Sequence, residues 1–359
     1  MTSDRTHSRP VPAHAAACVS LVLACVLLSI TACSRSSALP ALSNQEFWAL
    51  IQRLSEPPGT FSLSENFVSN EPYFAENVRW LRPAGGVYIG VGPEQNFSYI
   101  ARLQPSIAFI VDIREENRSL HLLYKALFEL STDRADFVAR LFSRPRPSGL
   151  SGDASVEDIF RASDVVRPSM EEYDRTVALV RGHLGGSRGF RLSQVDLDWI
   201  DRALKAFYAG GPAIHFWGSR EVQAARPSYR QLMTARDTMG TNRSFLATEE
   251  GFRFVKDLHA RNRIVPVVGD FAGPTALRRV GQYVRERADV VQAFYGSNVG
   301  VYLTNEQARA YCRNLAALPA SPRAWFIESD GVRSLAAKLR ACAPAGRESK
   351  GRNANGAES

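Results

Sequence analysis

The sequence predicts an α/β fold with a mainly parallel sheet and a large helical insertion. Three observations predict it. A short apolar run, Val87–Gly90, meets a glycine turn at Gly90–Gly92, a helix start and then a second apolar run, Ile107–Ile113, carrying Asp112. Two more apolar runs return late, Ile264–Val268 and Asp289–Tyr295, each followed by turn residues. Between these pairs the chain from about 144 to 262 is helical and turn-rich, with Gly185–Gly186 and Gly210–Pro212 as breakers.

The N-terminus reads as an export signal. Arg5 and Arg9 precede a run without charge from about Ala13 to Ala32, ending in Ile30-Thr-Ala-Cys33. Small residues before a cysteine resemble the lipobox of bacterial lipoproteins, which implies cleavage before Cys33 and its lipidation. A plain transmembrane anchor is the alternative, because the run approaches the ~18–20 residues that span a bilayer. Residues 1–32 are excluded from the fold on either reading. The resemblance implies an exported protein tethered to a bacterial membrane through a lipid. Ser34 carries no acidic retention signal, which points to the outer membrane, facing the periplasm.

Residues 33–60 form a tether and an N-terminal helix. Ser43 and Glu46 make a capping box, Phe47, Leu50, Ile51 and Leu54 follow at helical spacing, and Pro57-Pro58-Gly59 ends the helix. The segment Ser64–Pro72 is polar and reads as a solvated turn, although Ser69-Asn70-Glu71 is placed to close over a site. A helix over about 73–81 leads into the first strand. After Asp112 a helix runs over about 116–130 with a leucine stripe, and residues 135–142 continue helically.

Within the insertion, 193–208 reads as a capped helix and 213–217 as a short strand. Its aromatics Phe216, Trp217, Tyr229 and Phe245 either line a pocket or fill the core. Helices are predicted over 274–287, 305–315 and 334–341, with an apolar stretch at 324–327. The main α/β domain spans 61–344, and the small polar residues 345–359 read as a disordered tail.

Composition sets limits. A hydrophobic fraction of 45% and a charged fraction of 22% fit a globular body. The net charge of +8 is dispersed, without a Lys/Arg block, so no nucleic-acid partner is expected. Four histidines, His121, His183, His215 and His259, are scattered without metal-ligand spacing, so no metal is expected. There is no Gly-x-Ser-x-Gly elbow and no phosphate loop. Cys312 and Cys342 are the two cysteines left in the exported body, which predicts a disulfide in an oxidising compartment.

The site is expected at the glycine turn. Gly90 permits the tight turn and Gly92 lets backbone approach a ligand. The distance from Gly90 to Asp112 suits a carboxylate that takes ribose hydroxyls. The pattern Gly-x-Gly-x-x-Gly fails at Gln95, against NAD and FAD.

With Tyr88–Gly92, Asp112, Val268-Gly-Asp270-Phe271 and Asp289–Asn298 in this order, the chain resembles a Rossmann-like S-adenosylmethionine-dependent methyltransferase. The motifs Gly-Val-Gly-Pro-Glu-Gln-Asn-Phe and Val-Gly-Asp-Phe-Ala-Gly are similar to an uncharacterised bacterial methyltransferase-like family. The resemblance covers roughly residues 61–304. It implies S-adenosylmethionine as cofactor, held by Gly90, Gly92, Glu94, Asp112, Asp270, Phe271 and Asn298, with Asp112 on the ribose and Asp270 on the adenine amine. Glu94 stands near the family's third glycine, where a carboxylate crowds the cofactor. No catalytic base is assigned. Glu94 and Tyr295 are adjacent to the site. Asp112 and Asp270 as helix caps, and Asn298 as a turn residue, are the alternatives. Two functions follow: a membrane-tethered methyltransferase of unknown substrate, or a non-catalytic lipoprotein that uses the fold to bind a small ligand or a protein partner.

Overall fold

The computed structural model describes residues 40–61, 65–216 and 226–342. Cys33, the export signal, Trp217 and the tail 345–359 lie outside the described residues. The chain divides into a unit over Met1–Pro40 and one over Ala41–Ser359, and every described helix and strand belongs to the second. No described helix is long and apolar enough to cross a membrane.

The protein is α/β with a six-stranded sheet, mostly parallel, in the order β3-β2-β1-β4-β5-β6. The strands are β1 (Val87–Gly90), β2 (Ile107–Asp112), β3 (Ile264–Val268), β4 (Val291–Ser297), β5 (Ala320–Glu328) and β6 (Gly331–Ser334). β1 to β5 run parallel, and β6 turns back against β5. β1, β2 and β3 are buried along their whole length, as strands with helices on both faces must be. The sequence reading did not anticipate β6, whose Gly-Val-Arg-Ser carries no alternating apolar pattern.

Thirteen helices connect and flank these strands among the described residues. α1 (Asn44–Leu54) begins at the expected capping box: the Ser43 amide donates to Glu46 Oε2 at 2.7 Å and the Glu46 amide to Ser43 Oγ at 3.2 Å. α2 (Phe74–Trp80) precedes β1, α3 (Gln95–Leu103) joins β1 to β2, and α4 (Glu115–Leu130) and α5 (Arg134–Leu141) follow β2. The insertion carries α6 (Val156–Val165), α7 (Met170–Arg181), a π-helical turn (Gly182–Ser187), α8 (Gln194–Gly210), α9 (Tyr229–Thr234) and α10 (Glu249–Ala260). α11 (Ala276–Glu286), α12 (Asn305–Ala316) and α13 (Leu335–Cys342) complete the chain.

β3 is an edge strand, which is why it tolerates Pro266. α1 packs on it, and the segment after α1 holds its end: the Val268 amide donates to Ser55 Oγ at 3.0 Å and the Glu56 amide to the Val268 carbonyl at 3.0 Å. Cys312 of α12 and Cys342 of α13 are joined by a disulfide, with their Cα atoms 5.7 Å apart.

Two expectations about the insertion need correction. The rule that such sheets bind ligands at the carboxyl ends of their strands predicts an insertion above those ends, but the described helices of the insertion pack elsewhere. α8 packs on α4, and α10 packs on α3 and α4, so the insertion thickens the flank of the sheet. The described part of the expected strand, residues 213–216, is not one; a single antiparallel bridge links His215 to Ser228. The physical reason is apolar demand. Phe97 on α3 is ringed by His121, Tyr124, Phe128, Phe245 and His259 at centroid distances of 5.1–5.5 Å. Phe245 and His259 come from the insertion, so covering this cluster draws the insertion to the flank. Tyr229 and Phe245 are core residues, each fully buried.

Candidate functional site

Between β1 and β4 the strand order reverses, and a cavity of about 220 Å³ opens there at the carboxyl ends of the strands. In open α/β sheets, crevices of this kind are where ligands bind. The lining includes Gly92, Asp112, Asp270, Phe271, Tyr295 and Asn298, so residues up to about 200 positions apart converge on one space. Phe216 is the insertion's contribution. At the mouth, Phe61 packs edge-on against the half-exposed Tyr302 at 5.1 Å.

The glycine turn is built differently from the sequence reading. Gly92 has φ +77°, so it is the residue that makes the left-handed turn. Gly90 is required by a close approach instead. A Cβ there would stand 2.0 Å from Asn96 Oδ1 and 2.7 Å from the Tyr88 ring. Asn96 cannot yield, because its Nδ2 donates to the carbonyls of Val91, Gly92 and Pro93 at 2.8–3.1 Å and its Oδ1 accepts from Tyr88 at 2.9 Å. Gly90 is therefore not part of the cavity wall. The Gly92 amide does not face a ligand either, because it donates to Asp112 Oδ2 at 3.2 Å.

Asp112 lines the cavity but is fully engaged. Oδ1 accepts from the Arg114 amide and from Arg114 Nε, both at 3.0 Å; Oδ2 accepts from Arg114 Nη2 at 2.9 Å besides Gly92. These four bonds use the lone pairs of both oxygens. The pair is buried, with side-chain exposures of 5% and 6%. Asp112 is not the cap of α4: the N-cap position belongs to Arg114, whose side chain makes no cap bond. The Asp-x-Arg spacing at a strand end was the signal for this pairing.

His121 supports the turn from beneath. It is buried, and its Nε2 lies 2.9 Å from the Gly92 carbonyl. A carbonyl only accepts, so the proton sits on Nε2. Burial pushes the imidazole down to about 4, which keeps the ring neutral.

Asp270 also lines the cavity, and its Oδ1 accepts from the Ala272 amide at 2.8 Å. It is not the cap of α11. That task falls to Glu56, which the sequence reading passed over. Glu56 Oε2 accepts from the amides of Thr275 and Ala276, both at 3.1 Å, and from Thr275 Oγ1 at 2.7 Å, while Oε1 accepts from the Asp270 amide at 2.8 Å. An acid at a helix N-terminus is favoured by the exposed amides and the helix dipole. Nothing local to Glu56 reveals a partner more than two hundred residues away.

The segment expected to be a solvated turn is part of the wall. Ser69 and Glu71 are buried, and Ser69, Asn70 and Glu71 all line the cavity. Glu71 Oε2 accepts from Gln95 Nε2 at 2.7 Å, and its Oε1 accepts from Ser297 Oγ. Ser297 holds a left-handed backbone, φ 49°, which is uncommon for a residue with a side chain. Burial raises the Glu71 carboxyl, against hydrogen bonds from Ser297, Tyr295 and Gln95 that lower it. Phe67 and Val68 beside this segment were the sequence signal that it is buried.

Glu94 does not reach the cavity. Its side chain is fully buried and accepts the Ser69 amide on both oxygens at 3.2 Å. Burial pushes its carboxyl up to about 8. The crowding of a cofactor by Glu94 therefore does not arise. Its acid end secures the Ser69–Glu71 wall from behind.

A family model described as Domain of unknown function (DUF7790) matches residues 66–149 and 214–338, more than half of the chain. The match spans the strands and the cavity wall apart from Thr60 and Phe61, and omits 150–213, the middle of the insertion. No curated protein matches the chain.

Proposed function

We propose that this chain, which belongs to the DUF7790 family, is a methyltransferase-like protein that binds S-adenosylmethionine or a related nucleoside in the cavity between β1 and β4. The observation that carries the reading is the convergence of Gly92, Asp112 and Asp270 on one cavity at the reversal of strand order. On this reading Asp270 takes the adenine amine, Asp112 faces the ribose, and Phe271 and Asn298 flank the ligand. Charge supports it. Among the described lining residues Asp270 is an acid with no paired cation, and Arg114 is committed to Asp112. Such a wall favours a sulfonium cation and repels the pyrophosphate of a dinucleotide. Methyl transfer asks mainly for positioning of donor and acceptor.

Isothermal titration of the full-length protein with S-adenosylmethionine and S-adenosylhomocysteine tests the reading. Saturable binding is expected, and Asp270→Asn should weaken it roughly 10- to 150-fold, the worth of a charge-assisted hydrogen bond of ~1.5–3 kcal/mol. No heat with either compound at millimolar concentration would remove the cofactor from the proposal.

One observation favours a second reading, a non-catalytic ligand- or partner-binding lipoprotein. The Asp112 oxygens are already filled by Arg114 and Gly92, so a ribose diol must displace one of them. Both readings include a tether through Cys33 to the membrane. Mass spectrometry of the mature N-terminal peptide should find a lipidated Cys33, and an unprocessed Met1 would reject the tether.

A further inference from the structure

We propose that the Glu71 wall of the cavity is a subsite for the ammonium group of a second molecule, a small aliphatic amine bound beside the nucleoside. The inference deepens the reading above and rests on the same cavity. Glu71 exposes only 3% of its surface, yet it faces the cavity. Its hydrogen-bond donors, Gln95, Ser297 and Tyr295, are neutral. No lysine or arginine is paired with it among the described residues.

Among the described residues, the other buried acids apart from Glu94 include closely paired ones. Asp112 has Arg114, and Glu129 has Lys125, Arg188 and His183. A carboxylate withdrawn from water is costly unless a cation accompanies it. Here the side that carries no cation belongs to the cavity wall, where a bound ligand supplies it. Glu94 provides the contrast: it too lacks a cation, but it is outside the cavity wall and bonds to backbone, so it stays a neutral structural acid.

The surroundings suit an alkylammonium group. Tyr295 lines the cavity, with the buried Tyr99 ring 4.8 Å behind it, and presents an aromatic side chain of the kind that attracts ammonium ions. Gln95 Nε2 lies 3.3 Å from the hydroxyls of both tyrosines and donates to Glu71, which fixes Tyr295 beside Glu71. An alcohol would leave the carboxylate without a countercharge, and a carboxylate or phosphate would be repelled.

The test is calorimetric titration of the full-length protein with butylamine, butanol and butyrate, alone and with saturating S-adenosylhomocysteine. Butylamine should bind saturably and at least tenfold more tightly than butanol, with no binding of butyrate. Glu71→Gln keeps the size of the side chain and removes its charge, so it should lose at least tenfold in butylamine affinity while S-adenosylhomocysteine binding changes less than threefold. Equal binding of amine and alcohol by the wild type, a comparison that needs no variant, overturns the proposal. So does Glu71→Gln that binds butylamine within threefold of wild type. Exclusion of butylamine by saturating S-adenosylhomocysteine also overturns it, since the subsite would then belong to the amino group of the nucleoside ligand. Binding of the nucleoside without amine preference rejects this inference alone. Amine binding without nucleoside binding rejects the cofactor reading alone.

Discussion

Asp112→Ala is expected to destabilise the protein by roughly 3–5 kcal/mol, the usual cost of removing one partner from a buried ion pair. Arg114 would keep its charge at 5% side-chain exposure, with only a 3.4 Å contact from Nη1 to the Asn66 carbonyl and the Phe61 ring 5.9 Å away. The Gly92 amide would lose its acceptor at the same time. The ordinary expectation for a ligand-binding acid, lost affinity with an intact fold, therefore fails at this position. Chemical denaturation of wild type, Asp112→Ala, Arg114→Met and the double variant separates the terms. The double variant should recover most of the loss, because it strands no charge. A loss below about 1 kcal/mol in the single variant, or a double variant no more stable than Asp112→Ala, would show that the pair does not hold the turn. For the same reason, ligand tests of this site are better made at Asp270, whose carboxylate is held by a single backbone amide.

Glu94→Gln is expected to flatten the dependence of stability on pH. Burial pushes the Glu94 carboxyl up to about 8 from its ordinary 4.5, and Glu71 nearby adds to the rise, while hydrogen bonds from the Ser69 amide and its own backbone oppose it. The fold thus holds a proton that the unfolded chain releases. The sign follows: the contribution is present in full below about pH 4.5, falls as pH rises toward 8, and is gone above. At about 1.4 kcal/mol per pH unit, the span corresponds to roughly 4–5 kcal/mol as an upper figure. Glutamine has no proton to lose, and its amide oxygen can still accept from Ser69. Glu71, raised in the same direction, should leave a smaller residual slope in this variant. Urea denaturation at several pH values between about 5 and 8 reads the effect. Equal slopes in wild type and Glu94→Gln would falsify the assignment.

Much of the frame was legible because it rests on short-range physics. The capping boxes at Ser43 and Thr304 satisfy amides within four residues. The apolar runs of β1 to β4 announce strands buried on both faces, and the parallel order follows from the helices between them. The convergence of Asp112, Asp270, Phe271, Tyr295 and Asn298 on one cavity follows from this topology, since each sits at or just past the carboxyl end of its strand.

The less legible features depend on partners that sequence proximity does not identify. Glu94 and Glu71 are both buried acids without a paired cation, yet one is sealed behind the wall and the other faces the cavity. The 69–71 segment reads as polar and solvated, but Gln95, Glu94 and Ser297 supply the hydrogen bonds that let it be buried. Glu56 becomes the cap of α11 only because α1 docks on β3. What the sequence by itself determined was where β1 to β4 and the capped helices lie and which strand ends meet, because periodicity and capping are local. What only the tertiary structure decided was the state of each acid, because desolvation and pairing energies are set by groups brought close in space from distant parts of the chain.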